Sequence, residues 1–164
     1  MKAWWQRIWA ICLLRAGPQD LPASSTSLAL ALAAWWGVSA LALAAPGTRV
    51  QAADALLLFV AQLAMIAGLL VASRRSARFL QTAAALFACG AVVSLANVPL
   101  WLSTTSPPPA GMAVLALAAL FWSLAVDAHI WRHALERSYV VGLAVAVVLF
   151  VVQLVLLQAL GTAS

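Results

Sequence analysis

Five long apolar runs, separated by short polar breaks, constrain this chain more than any other feature of its sequence. A helix that crosses a bilayer needs about 20 predominantly apolar residues. Windows at 27–45, 53–72, 79–102, 110–130 and 139–160 approach or exceed that length. Ser24, Ser25 and Thr26 are candidate caps for the first window, and Pro46 and Gly47 are its stop signal. The breaks at 46–52, 73–78, 103–109 and 131–138 are brief, which predicts that consecutive helices pack as antiparallel neighbours. The expected fold is all-α: an integral membrane bundle of five transmembrane helices with an N-terminal interfacial helix. Residues 1–23 form a cytoplasmic interfacial segment with a Gly/Pro elbow, and 24–164 form the transmembrane domain.

Composition closes off the alternatives. Only 8% of the 164 residues are charged, against 66% hydrophobic, and the mean hydropathy is +1.05. A soluble domain carries about a quarter charged residues, so little here can form a wet surface and the lipid bilayer is the implied solvent. The formal charge of +5 does not make this a nucleic-acid-binding chain, because the cations form no stripe. They cluster between the apolar runs, as membrane orientation requires.

Of the nine Lys and Arg, eight fall on one side of a five-span layout: Lys2, Arg7, Arg15, Arg74, Arg75, Arg78, Arg132 and Arg137. Only Arg49 falls on the other side. The positive-inside bias then puts the N-terminus in the cytoplasm and the C-terminus on the periplasmic or extracellular side. Residues 4–15 are too short to span, and Trp4, Trp5 and Trp9 with flanking cations suit the headgroup layer. The apolar stretch 8–14 ends at Arg15 without a small-x-small cleavage site, so no cleaved segment is expected. Gly17, Pro18 and Pro22 break this helix and turn the chain into the first span.

Residues with chemical potential are few. His129 and His133 are spaced i, i+4, and Glu136 follows three residues later, so the three are metal-ligand candidates. Against this, Arg132 and Glu136 are also i, i+4 and suit an ordinary ion pair, and no second ligand cluster exists in the sequence. The expectation is therefore no metal, no cofactor and no catalytic residue. Asp127 lies more than a turn deeper than Arg132, where a carboxylate is costly unless paired or hydrated. A salt bridge to Arg74, Arg75 or Arg78 is the structural reading, and a proton or ion relay the functional one. Gly90, Ser94 and Asn97 mark one face of the third span, a small-and-polar stripe that suits helix contact. Pro99 is expected to kink that span. Gln62, Asn97 and Gln153 raise the alternative of a polar cavity, although they sit at different depths. Trp35 and Trp36, near the middle of the first span, are expected to face other helices or a partner. Cys12 and Cys89 are far apart in sequence and belong to no CxxC pair, so neither zinc nor disulfide-exchange chemistry is implied.

Three stretches, 14–22, 78–82 and 122–135, together resemble small multi-span inner-membrane proteins of proteobacteria. The resemblance implies a bacterial source and a multi-span topology and carries no activity with it. The five-span layout is also similar to that of Yip1-type membrane proteins, by architecture alone. The expected role is a scaffold, assembly or accessory subunit of an inner-membrane complex. The alternative is a small transporter or channel component working as an oligomer. Either one implies a membrane-protein partner or further copies of the chain.

Overall fold

The computed structural model describes residues 2–45, 51–102 and 109–163, with side chains for all of these except 100, 101 and 161–163. The expected stop at Pro46 and Gly47, the outer cation Arg49 and most of the break after the third window lie outside the described residues. Helices α1 (Lys2–Cys12), α2 (Ser25–Leu43), α3 (Ala52–Ala72), α4 (Phe79–Leu95), α5 (Val98–Trp101), α6 (Ala110–Leu135) and α7 (Tyr139–Ala163) follow one another, and the described residues contain no strand. Five segments are long and apolar enough to cross a membrane: Ser25–Leu43, Ala52–Ala72, Ser76–Leu95, Ala110–Leu135 and Tyr139–Leu160.

Local chemistry sets the helix ends. Ser24 caps α2 by accepting the Ser27 N–H at 3.2 Å. Asp54 reaches back to the Gln51 N–H at 2.9 Å and opens α3. Pro99 lacks an N–H and its ring excludes a helical carbonyl four residues earlier. That position is Leu95, where α4 stops, and the chain turns at 96–97 before α5. In contrast, α6 continues past 130 to Leu135, because Trp131, Ala134 and Leu135 are buried against the bundle. Leu14, Arg74 and Glu136 all adopt positive φ, of 60°, 56° and 51°, just after α1, α3 and α6. Each closes its helix with a six-to-one bond: Arg15 N–H to Ala10, Arg75 N–H to Leu70, and Arg137 N–H to Arg132.

The bundle is organised around α4. Ala83, Ala84, Ala85 and Ala88 are fully buried, and these small side chains let α1, α2 and α6 approach it closely. α2 packs along α4 rather than against α3, so the brief break between the first two spans does not make them close neighbours. Aromatic rings hold α2 and α3 apart: Phe59 of α3 lies 5.5 Å from Trp35 and 5.4 Å from Trp36, centroid to centroid. Phe87 of α4 completes the cluster at 5.5 Å from Trp35. α6 and α7 form the other tight pair.

α1 docks across α4 and α6 through Trp4, Ile8, Ile11 and Cys12, leaving Trp5 and Trp9 outside. The Trp4 indole N–H donates to Ser27 Oγ at 2.8 Å. The elbow between α1 and α2 has carbonyls that no helix satisfies, and neighbouring side chains take them. Trp122 donates to Cys12, Gln81 to Leu21 and Arg7 to Asp20, at 2.9, 2.7 and 2.8 Å. Irregular backbone packed against apolar helices is stable only where its polar groups are satisfied in this way.

Candidate functional site

The four carboxylates of the chain have separate fates. Asp20 accepts the Gly17 N–H at 2.8 Å, and Asp54 caps α3. Glu136 takes both loop arginines: Arg75 at 2.5 Å, and Arg78, which also donates to the His133 carbonyl at 2.7 Å. The Arg75 hydrogen bond, with the charge of Arg75 and Arg78, holds the Glu136 carboxyl below its ordinary range. The loop arginines thus clamp the end of α6 through Glu136, not through Asp127 as the sequence suggested. Arg74 stays exposed, and Arg132 makes no ion pair with Glu136 among the described residues.

Asp127 has a different setting. It makes no hydrogen bond or ion pair with any described residue, and no cationic side chain bears on it. It lines an inner cavity of about 210 Å³ between α2, α3, α4, α6 and α7. Ser123, one turn earlier on α6, and Trp131, one turn later, share that wall. Gln62 enters from α3, Gln153 and Phe150 from α7, and Gly90 leaves space on α4. An outer cavity of about 410 Å³ lies toward the end where α2 stops and α3 begins, lined in part by Ser39, Leu43, Ala55 and Ser94. Trp35, Gln62 and Gln153 line both cavities and form the partition between them. The two cavities therefore adjoin, the outer one nearer the loop end opposite the arginines and the inner one holding the Asp127 carboxylate.

The structure thus keeps Gln62 and Gln153 together, as the polar-cavity alternative had them, and sets them beside Asp127 in the inner cavity and beside Ser94 in the outer one. Asn97 lines neither cavity; it stands in the turn between α4 and α5, its N–H on the Ser94 carbonyl at 3.0 Å. The place of Trp35 between the cavities was not foreseen, and Ser123, which the sequence shows as one of the uncharged polar residues of the spans, was not placed beside Asp127. Ser123, Asp127 and Trp131 are spaced i, i+4, i+8, and that shared face was the available signal.

His129 and His133 stack edge-to-face with centroids 4.6 Å apart. His129 Nε2 lies 3.0 Å from the Ala16 carbonyl, an acceptor, so that nitrogen carries the proton. Glu136 is turned away into the arginine clamp, and no group of three metal-ligand side chains forms among the described residues. Cys12 and Cys89, far apart in sequence, meet in the core, where their thiols are hydrogen-bonded and Cys89 also faces the Ile8 carbonyl at 3.9 Å.

No protein-family model matches the chain, and no curated protein or solved structure matches it at a significant level.

Proposed function

We propose that this chain is a small multi-pass protein of a bacterial inner membrane that admits a small polar solute to the Asp127 cavity, as a component of an oligomeric transporter or channel. The carrying observation is the Asp127 carboxylate, which lines a cavity without a partner among the described residues. An ionisable side chain within a span is costly, and it persists where a solute or ion path uses it. The cation distribution supports a cytoplasmic N-terminus and arginine clamp. On that orientation the outer cavity faces the periplasm, and Trp5 and Trp9 hold α1 in the cytoplasmic headgroup layer.

Charged thiol reagents test this reading, since they react only with thiolates in contact with water. With Cys12 and Cys89 replaced by alanine, Ser94→Cys is expected to label quickly from outside and Ser123→Cys more slowly. Val148→Cys, on the lipid-facing side of α7, is expected not to label. Failure of both Ser94→Cys and Ser123→Cys to label overturns the reading.

A scaffold or accessory role is the second reading. It rests on the outer face of α1, where Trp5 and Trp9 are 47% and 56% exposed beside Lys2 and Gln6. A stoichiometric membrane partner retained in mild detergent, and lost on Trp5→Ala with Trp9→Ala, supports it.

A further inference from the structure

We propose that the inner cavity takes a small organic cation, a protonated amine or quaternary ammonium, with Asp127 as its counter-charge and aromatic rings as its walls. The inference rests on the solute-binding reading above and names the class of solute. Three properties of the lining carry it.

The first is charge. Asp127 is the one ionisable side chain lining the inner cavity, and it has no cationic partner among the described residues. In a low-dielectric bundle an isolated carboxylate repels anions and favours a positive ligand. The second is the wall chemistry. Trp35, Trp131 and Phe150 present aromatic rings, which attract a desolvated ammonium through their π-faces. Ser123, Gln62 and Gln153 offer hydrogen bonds to any polar solute, so it is the carboxylate beside aromatic rings that favours a cation over a neutral polyol. A hard metal ion is served no better. Calcium takes about six to eight oxygen ligands, and most of this wall is apolar.

The third property is size. Pockets for drug-sized molecules span about 300–1,000 Å³, so an inner cavity of about 210 Å³ fits a ligand of only a few heavy atoms. The larger outer cavity collects the cation, and the Trp35 indole with the Gln62 and Gln153 amides forms the neck it passes.

Choline and its uncharged isostere 3,3-dimethylbutanol differ only in a quaternary nitrogen against a quaternary carbon, and therefore in charge. Calorimetric titration of the full chain in detergent is expected to show saturable choline binding, with the isostere at least about tenfold weaker. Asp127→Asn is expected to remove that difference, and Asp127→Glu to keep it. The comparison on the unmodified chain needs no variant to fold. Equal binding of choline and the isostere overturns the cation assignment while leaving the solute-binding reading intact. Saturable binding of neither probe also overturns it, and labelling at Ser94→Cys and Ser123→Cys then decides whether the cavity reading falls as well.

Discussion

The backbone of Gly142 lies directly against the Ala128 carbonyl, and a β-carbon added there would also stand 2.9 Å from the Arg132 amide nitrogen. This contact is where α7 closes onto α6, just beside the turn that joins them.

Gly142→Ala is therefore expected to force the two helices apart. Overpacking of this kind costs about 1–3 kcal/mol, and Gly142→Leu should cost more. The same contact supports the wall that carries Asp127, so both variants are expected to loosen the cavity. Unfolding by SDS in mixed micelles checks this, with Gly111→Ala as the control, since nothing lies within 4 Å of a β-carbon there. Equal effects of the Gly111 and Gly142 substitutions would mean that helix propensity, not contact, dominates.

The arginine clamp gives a pH signature. Glu136 has its carboxyl held below its usual value of 4.5, chiefly by the Arg75 hydrogen bond. A group depressed in the folded state contributes stability above its unfolded value, lost as pH falls through the folded one. Glu136→Gln is thus expected to lower the melting temperature by a constant margin from neutral pH down to about 5, with the margin closing below 4.5. The side chain is half exposed, so the margin should be small and should shrink further in high salt. A margin that persists at pH 3 would assign the effect to the left-handed backbone of residue 136 instead.

Thr82 offers a stabilising change. Its hydroxyl is fully buried in α4 and finds no hydrogen-bond partner among the described residues. An unsatisfied buried polar group costs about 1–3 kcal/mol. Thr82→Val keeps the shape and removes the hydroxyl, so it should raise thermal stability in detergent, whereas Thr82→Ser should not. A clear loss of stability in Thr82→Val would show that the hydroxyl is in use.

The sequence made the spans legible because lipid imposes one strong rule, a run of apolar residues long enough to cross. It also marked Pro99, because a missing N–H acts locally, but as a kink within a span reaching 102, whereas α4 ends at Leu95. Pair choice among helices was not legible. The packing of α2 on α4 depends on rings that stand between α2 and α3, and hydropathy does not distinguish Phe59 facing Trp35 from Phe59 facing lipid. The site was half legible for a related reason. Asp127, Gln62 and Gln153 stand out as polar residues in apolar runs, but their convergence is a property of three helices at once. The ion pair was misjudged because the i, i+4 spacing assigned Glu136 to Arg132 and so left Asp127 for the loop arginines. The left-handed turn at Glu136, invisible in composition, brings that carboxylate alone to Arg75 and Arg78.

Orientation yields a direct prediction. With eight of nine cations on one side, alkaline phosphatase fused to the C-terminus should be active and green fluorescent protein dark. Removing three of these cations, by Arg74→Ala, Arg75→Ala and Arg78→Ala together, leaves five cations against one, so the orientation should hold. Fluorescence from the unmodified chain's fusion would reverse the assignment and turn the outer cavity toward the cytoplasm.

The docking of α1 can be tested through the buried thiol pair. Trp122 donates its indole N–H to the Cys12 carbonyl at 2.9 Å, and Trp4 donates to Ser27 at 2.8 Å, so two directional bonds fasten opposite ends of α1. Hydrogen bonds between membrane helices contribute about 0.6–2 kcal/mol each. Loss of one should raise the open population about three- to thirty-fold, by the same energies. Cys12 is 2% exposed and reports the opening by its maleimide labelling rate. Trp122→Phe and Trp4→Phe are each expected to accelerate labelling within that range. Trp9→Phe is expected to leave it unchanged, because Trp9 lies on the outer face and no described residue hydrogen-bonds its indole. Equal acceleration by all three would mean that tryptophan bulk, rather than the two bonds, keeps α1 against α4 and α6.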